Sequence, residues 1–240
     1  MRYLIVNADD FGYSRSINRG ILEAHDEGIV TSASLMVERP GAAEGAEEAR
    51  KRPQLDLGLH VEIDRWRVTR LPRQGAARSA AAVVRRVDAD LQRQIERFRL
   101  LVGRDPSHLD SHQHRHRAEH VRPAFQRLAD ELGIPLRHFD PKIRFCGDYY
   151  GQVGAGRPNP EAITPGALID LLGRLPPGVT ELCSHPGYAE GLKEWYREER
   201  VQEVRTLCDP RVQEAIERLQ IGLTSFSELA ARQDSQSAKA

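Results

Sequence analysis

The alternation of short β-type runs with helical segments constrains the fold of this chain more than any other feature. β-type runs are predicted at residues 3–6, 31–37, 55–63, from 106, 136–139, 179–187 and 222–226. Helices are predicted from the cap Ser14 to Gly28 and at 42–52, 79–102, 118–132, from 164, 192–207, 210–219 and from 227. Because strands that alternate with helices join as parallel neighbours, the pattern predicts an α/β protein with a parallel sheet.

About seven or eight such units in one domain favour a TIM-like (β/α) barrel, irregular and with about seven strands. No GxGxxG motif follows the first strand, so a dinucleotide-binding open sheet is not favoured. The length of 240 residues suits a single catalytic barrel domain, residues 1–232. The polar residues 233–240 are expected to form a disordered tail.

Composition disfavours several classes of function. The 35 basic and 35 acidic residues cancel, which disfavours a nucleic-acid partner. No apolar run is long enough to span a membrane, and no basic and then apolar leader precedes the first strand, so we expect a cytoplasmic protein. Cys146, Cys183 and Cys208 form no CxxC pair, so neither a disulfide framework nor a thiolate zinc site is indicated. We expect Cys183 to be a small buried strand residue.

Two adjacent carboxylates, Asp9 and Asp10, follow the first predicted strand directly. In α/β proteins, ligands bind at the carboxyl ends of the parallel strands. Two acids at that edge can divide the work, one binding a cation and the other acting as a base. The alternative is that both are turn and cap residues, because Asp is common before helices and Gly12 marks a turn.

Further ligand-type side chains lie at three other predicted strand ends: His60, the run 110–116 and His185. In an extended chain alternate residues share one face, which here would carry Asp110, His112, His114 and His116. Spacing alone does not decide which of these histidines binds a metal. A packed histidine, a solvated loop or a simple turn remains the alternative for each stretch taken alone.

One carboxylate with two imidazoles is a normal ligand set for a divalent ion that keeps open positions. Such an ion lowers the pKa of a bound water and polarises a carbonyl oxygen. A second carboxylate beside it can take the proton of the water, and a histidine on the opposite side can protonate a leaving group. The sequence therefore favours a hydrolytic metal site.

At these residues the chain resembles the YdjC-like carbohydrate deacetylases, which include chitooligosaccharide deacetylases and hopanoid-biosynthesis-associated deacetylases. The matching stretches occur in family order and span nearly the whole chain up to residue 226. They are Asn7-Ala-Asp-Asp-Phe-Gly12, residues 28–36, Gly58-Leu-His60, His108-Leu-Asp-Ser-His-Gln-His114, Glu181-Leu-Cys-Ser-His-Pro-Gly187 and Gly222-Leu-Thr-Ser-Phe226.

The resemblance implies a TIM-like barrel that hydrolyses the N-acetyl group of an amino sugar, chitooligosaccharide-like or lipid-linked N-acetylglucosamine, and releases acetate. It implies Asp10, His60 and His112 as metal ligands, Asp9 as the base and His185 as the acid. One divalent ion is expected, zinc or magnesium. Two histidines with one aspartate favour zinc, because magnesium prefers oxygen ligands. The resemblance also suggests a homodimer.

Contacts with a small-molecule N-acetylated sugar are expected from Phe11, Asp110, His114 and Arg65. The chain departs from the family pattern between His60 and His108, where it is shorter and, over residues 65–86, rich in arginine. The arginines of this segment, Arg65 among them, raise the hypothesis of an anionic or phosphorylated acceptor.

Two other functions are compatible with the same motifs. One is a metal-dependent hydrolase of another amide or ester. The other is a non-catalytic module that binds a metal or a sugar, for which Asp9 would be dispensable. Release of free acetate from N-acetyl sugars separates these readings.

Overall fold

The computed structural model describes residues 1–63, 77–154, 156–193 and 195–237. Its strands are β1 (Arg2–Phe11), β2 (Ser32–Leu35), β3 (Asp56–Val61), β4 (Leu109–Ser111), β5 (Ile143–Cys146), β6 (Gln152–Val153), β7 (Arg157–Pro158), β8 (Gly178–Ser184) and β9 (Ile221–Leu223). Its helices are α1 (Arg15–Asp26), α2 (Ala42–Arg50), α3 (Ala77–Val102), α4 (Arg122–Leu132), α5 (Pro165–Gly173), α6 (Arg197–Leu207), α7 (Pro210–Arg218) and α8 (Phe226–Ser237).

β1 lies at the centre of a seven-stranded sheet in the described part of the chain. Six strands follow the order β4-β3-β2-β1-β8-β5, and the seventh, β9, pairs with β1. Along one side β1 pairs with β8, and along the other it pairs first with β9 and then with β2. All pairs in this sheet are parallel. The predicted irregular α/β barrel is confirmed, as a curled half-barrel whose edge strands are β4 and β5. Parallel strands bring their carboxyl ends to one rim.

The two faces of β1 separate the main core from the inside of the half-barrel. Leu4, Val6 and Ala8 belong to the large apolar core. Ile5, on the other face, packs with Ile143 and Phe226 in a smaller cluster. Since side chains alternate along a strand, the inward face continues from Ile5 through residues 7 and 9. The inside is therefore apolar at its amino end and polar where the carboxyl ends meet.

Helix α1 is fixed at both its start and its middle. Ser14 is its N-cap, and the hydroxyl accepts the N–H of Ile17 at 3.2 Å. Gly20 lies against the loop that follows β8, because a Cβ at this position would lie 2.5 Å from the Cα of Gly187. Only glycine permits this approach, which places α1 directly behind the segment that carries His185.

The histidine-rich run departs from its prediction. β4 ends at Ser111, and residues His112–Arg117 form a 3-10 helix in which Gln113 and His114 have φ values of 57° and 52°. The prediction that Asp110, His112, His114 and His116 share one face of a strand is therefore wrong. The turn sends the side chains of the run in different directions.

Other boundaries also shifted. The strand predicted at 136–139 is reduced to one bridge between Leu109 and Leu136. The helix predicted at 192–207 begins at Arg197, and α8 extends to Ser237, into the predicted disordered tail. Residues 140–165, predicted as a loop, contain β5 and the hairpin β6–β7. Among the helices described, none has both the length and the apolarity that a membrane crossing requires.

Candidate active site

A cavity of about 730 Å³ opens at the carboxyl rim of the half-barrel. Its volume lies within the range of roughly 300–1,000 Å³ that is usual for small-molecule sites. Its wall includes the predicted metal, base and acid residues Asp9, Asp10, His60, His112 and His185, and also His114 and Cys183. The four stretches that the sequence predicted to meet at strand ends therefore meet in one cavity.

Asp9 and Asp10 both reach this cavity because β1 is irregular where it ends. Neighbouring strand residues normally point to opposite faces. Here the pairing of β1 with β2 shifts its register between Ala8 and Phe11, and Asp10 has a φ of 68°. Aspartate tolerates this left-handed conformation better than most residues. The distortion turns two adjacent carboxylates towards the same space, which regular strand geometry does not allow.

Asp10, His60 and His112 offer three ligand atoms within 4.8 Å of one another. Asp10 Oδ1 lies 3.1 Å from His112 Nδ1 and 3.4 Å from His60 Nε2. A tetrahedral zinc ion with bonds of about 2.0–2.2 Å needs ligand atoms roughly 3.2–3.6 Å apart. The donor set and its spacing therefore fit a zinc-like divalent ion with a position open to the cavity.

The second oxygen of Asp10 is held by the protein. Arg200 Nη2 donates to Asp10 Oδ2 at 2.6 Å, and both groups are buried. Burial by itself raises the pKa of Asp10, but Arg200 and the bonds to His112 and His60 outweigh it and hold that pKa well below its usual value. Asp10 is therefore an anion that presents one oxygen to the histidines.

Asp110 lies behind His60 and fixes its ring. His60 Nδ1 is 2.7 Å from Asp110 Oδ1, so Nε2 is the nitrogen that faces Asp10. Ser34 donates to the other oxygen of Asp110 at 2.7 Å. Asp110 is fully buried and is not among the described residues that line the cavity. Its position supports a role in orienting the proposed metal ligand His60, and not the substrate contact that we expected.

The charges around His60 favour a cation at its Nε2. Burial lowers the pKa of His60, yet Asp110 and Asp9 outweigh this and raise that pKa well above its usual value. The nearby carboxylates thus stabilise positive charge on the ring or beside it. A divalent ion bound to Nε2 would use the same field.

Asp9 is held by an arginine that the sequence did not single out. Arg137 donates to both carboxylate oxygens of Asp9, at 2.7 Å each. The same guanidinium contacts Asp110 at 2.8 Å and Glu181 at 2.7 Å, and its side chain is buried. Burial raises the pKa of Asp9, but Arg137 first and then His60 and His185 lower it, so the net shift is downward. Asp9 is a fixed anion on the cavity wall.

His185 lies beside Asp9 in the cavity wall, with its Nε2 3.9 Å from Asp9 Oδ2. Its backbone is held from helix α6 on both sides. The N–H donates to Glu203 at 2.5 Å, and the carbonyl accepts from Arg200 at 3.2 Å. Burial lowers the pKa of His185 to about 4 against the opposing effect of Asp9 and Asp10. Its imidazole is therefore neutral near pH 7 and accepts a proton before it can donate one.

Aromatic side chains form the outer part of the cavity. Tyr150 stacks on Tyr196 with ring centroids 4.7 Å apart and planes 10° apart. Trp195 lies beside them on the same wall and is 82% exposed. Flat apolar faces of this kind bury large ligand areas. They make the mouth suitable for ring-shaped, partly apolar ligands.

The remaining predicted contact residues differ in position. His114 lines the cavity, and its pKa is lowered to about 4, mainly by burial. Phe11 is fully buried and packs beside Gly45, away from the cavity lining, so its position supports a core role. Arg65 lies outside the described residues.

Several residues that hold the candidate site in place were missed by reading the sequence. Glu181 lies in the family motif that ends at Gly187 but was given no role. Arg137 lies in an apolar stretch, and only its charge could have indicated a role. Arg200 and Glu203 are on a helix whose pattern resembles a solvated surface, yet both are buried. Only the fold brings them to His185 and Asp10.

The chain is similar to several known proteins. The family model described as "YdjC-like protein" matches residues 3–218. The chain is 36% identical to a carbohydrate deacetylase of Geobacillus stearothermophilus over 236 residues, covering 87% of this chain and 90% of that relative. It is 29% identical to the chitooligosaccharide deacetylase of Serratia marcescens, covering 94% of this chain and 99% of that one.

Two solved structures are also similar. One is a candidate cellobiose-phosphate cleavage protein from Enterococcus faecalis V583, with a TM-score of 0.75 and 25% identity over 95% of this chain and 98% of that one. The other is a family 4 carbohydrate esterase from Streptomyces lividans in complex with acetate, with a TM-score of 0.56 and 14% identity over 93% of this chain and 91% of that one. At the latter identity the likeness concerns the fold alone.

Proposed function

Because the chain belongs to the YdjC-like protein family, we propose that it is a metal-dependent carbohydrate deacetylase. It hydrolyses the N-acetyl group of an amino sugar to a free amine and acetate. The observation that carries this proposal is the placing of Asp9, fixed by Arg137, between the Asp10–His60–His112 group and His185. Base, metal ligands and acid then surround one reacting carbonyl.

The proposed ligands of the divalent ion are Asp10, His60 and His112. Once bound, the ion would polarise the acetamide carbonyl and lower the pKa of a bound water. Two nitrogen donors favour zinc over magnesium, although magnesium remains the alternative. Asp110 supports this role because it holds the His60 ring with Nε2 turned towards Asp10.

Asp9 takes the proton of the attacking water. Its depressed pKa keeps it ionised, and the two bonds from Arg137 stop the carboxylate from rotating. His185 then delivers a proton to the departing nitrogen. Because His185 is neutral in the free site, the proton it delivers is one gained during the reaction, and Asp9 at 3.9 Å is the nearest described carboxylate to supply it.

The cavity supports a substrate of one or two sugar rings. Its volume of about 730 Å³ and its rim of Tyr150, Trp195 and Tyr196 suit a chitooligosaccharide-like or lipid-linked N-acetylglucosamine. Relatives named carbohydrate deacetylase and chitooligosaccharide deacetylase support the same class. An anionic acceptor stays a hypothesis, since Arg65 lies outside the described residues.

The test is acetate release from diacetylchitobiose, measured beside lipid-linked and phosphorylated N-acetylglucosamine. The control is Asp9→Asn, which keeps the size of the side chain and removes the base. We expect the variant to keep its metal and to lose about 10²–10⁴-fold in turnover, the usual contribution of general base catalysis.

Two outcomes would contradict the proposal. Acetate release by Asp9→Asn at the wild-type rate would remove Asp9 as the base and favour the other readings of the site. Absence of acetate from every N-acetyl sugar, with turnover of other amides or acetyl esters, would instead identify a different metal-dependent hydrolase. Binding of sugar without any hydrolysis would identify a non-catalytic module.

A further inference from the structure

A second set of possible metal donors lines the same cavity as Asp10. Asp9, Cys183 and His185 each offer one ligand atom within 4.8 Å of the others. The Cys183 sulfur is 3.5 Å from Asp9 Oδ2, and His185 Nε2 is 3.9 Å from the same oxygen. This set shares no residue with Asp10, His60 and His112, and all three of its members line the cavity.

The spacing of these donors is close to that of a tetrahedral zinc site. Zinc bonds of about 2.0–2.3 Å place a sulfur roughly 3.6 Å, and an imidazole nitrogen roughly 3.4 Å, from a shared carboxylate oxygen. The observed sulfur distance already matches, and the His185 ring has to move by about 0.5 Å. A side-chain torsion supplies such a movement, because the ring lies at the open cavity.

Charge balance permits a cation beside Arg137. Asp9 Oδ2 accepts from Arg137 at 2.7 Å and from the Cys183 thiol at 3.5 Å. When zinc replaces the thiol proton, a sulfur–zinc bond forms, the proton leaves to solvent, and the Arg137 bond is retained. The guanidinium is already countered by the anionic carboxylates of Asp9 and Asp110, and it also contacts Glu181, whose pKa burial raises to about 7.

We propose that Asp9, Cys183 and His185 form a second zinc site that inhibits the enzyme. A cation there occupies the base and the acid together, so neither can carry a proton. The thiolate makes the site selective for zinc and other soft ions, whereas magnesium is excluded by its preference for oxygen ligands. The inhibition, though not the binding, rests on the proposed function.

The binding test does not depend on turnover. The full chain, loaded with one equivalent of zinc, is titrated with cobalt chloride while bound metal and the near-ultraviolet thiolate-to-cobalt charge-transfer band are measured. The wild type is expected to bind a second equivalent with this band. Cys183→Ser is expected to lack the band, and the matched control Cys208→Ser to retain it.

The inhibition test follows acetate release from diacetylchitobiose against rising zinc chloride, each variant being compared with its own activity at low zinc. Excess zinc is expected to inhibit the wild type and Cys208→Ser, and magnesium chloride is not. Cys183→Ser is expected to need at least about 100-fold more zinc for the same inhibition. Loss of a partner that only orients a metal ligand already costs up to about 100-fold in affinity, and Cys183 would bind the metal directly.

The results separate the two proposals. A wild type that binds one equivalent and shows no thiolate band overturns the second site, whatever its activity. Equal zinc inhibition of wild type and Cys183→Ser also overturns it. A second equivalent with the band, but no acetate from any sugar, preserves the site and rejects the deacetylase. If circular dichroism shows that Cys183→Ser is unfolded, the wild-type titration decides alone.

Discussion

Replacing Arg137 by lysine should impair both the fold and the base. Arg137 makes five short contacts to the buried carboxylates of Asp9, Asp110 and Glu181, two of them to Asp9. Lysine keeps the charge but presents its three donors from one nitrogen, so it cannot hold both oxygens of Asp9 and also reach Asp110 and Glu181. The substitution therefore changes the geometry of these contacts while it keeps the positive charge.

The expected loss can be bounded from these contacts. A hydrogen bond to a charged group is worth about 1.5–3 kcal/mol, and at least one is lost in Arg137→Lys. Arg137→Ala, which leaves buried carboxylates without a partner, is expected to cost about 3–5 kcal/mol. The folded-state pKa of Asp9 is depressed, so its contribution to stability is complete above the ordinary pKa of 3.8 and is lost only as pH falls through the folded value. Measurement at pH 7 captures all of it.

Catalysis should fall as well. A base that is misplaced by about 1 Å costs roughly 100-fold in rate. A lysine would also stabilise the Asp9 carboxylate less than Arg137 does, so the pKa of Asp9 should rise. The acid limb of the pH–rate profile should therefore move to higher pH in Arg137→Lys.

Urea unfolding and the pH dependence of kcat/KM for acetate release measure these two effects. The control is Arg211→Lys, an exposed arginine paired with Asp209, for which a change within about 0.5 kcal/mol is expected. If Arg137→Lys matched this control in stability and kept the wild-type pH profile, Arg137 would neither hold Asp9 nor stabilise the buried carboxylates.

Three further perturbations test other contacts. Asp110→Asn should lower metal affinity by about 10–100-fold through the orientation of His60, as measured by metal titration; unchanged affinity would reject that role. Burial raises the pKa of Glu203 from 4.5 to about 7, so the folded state holds a proton there that the unfolded chain releases, and stability should fall as pH rises across that window. Glu203→Gln should flatten this slope in unfolding curves, and an unaltered slope would contradict it. Gly20→Ala should lose about 1–3 kcal/mol, because the new Cβ meets Gly187, and a thermal midpoint equal to wild type would refute that contact.

The fold was largely predictable because strand–helix alternation is a local property of sequence. Residues 3–6 and 179–187 are apolar enough to identify central strands, and both are central in the sheet. Short edge elements were harder. β5 carries Arg144 among apolar residues, and the strand expected at 136–139 is only a bridge between Leu109 and Leu136.

The site was predictable in its strand-end residues and not in their supports. Asp9, Asp10, His60, His112 and His185 meet in one cavity. The alternation argument failed for the histidine run because a left-handed turn at Gln113 and His114 ends the strand, and no periodicity reveals such a turn. The burial of Arg200 and Glu203 depends on how α6 packs, which is a tertiary effect. The homodimer and the cytoplasmic location stay predictions.

Anomalous diffraction at the zinc edge from crystals grown with one equivalent of zinc tests the central claim most directly. The expected result is a single strong peak about 2.0–2.2 Å from an Asp10 oxygen and from one ring nitrogen each of His60 and His112. A fully loaded crystal with no peak between these three residues, or with its only peak elsewhere, would contradict the assignment of the metal site.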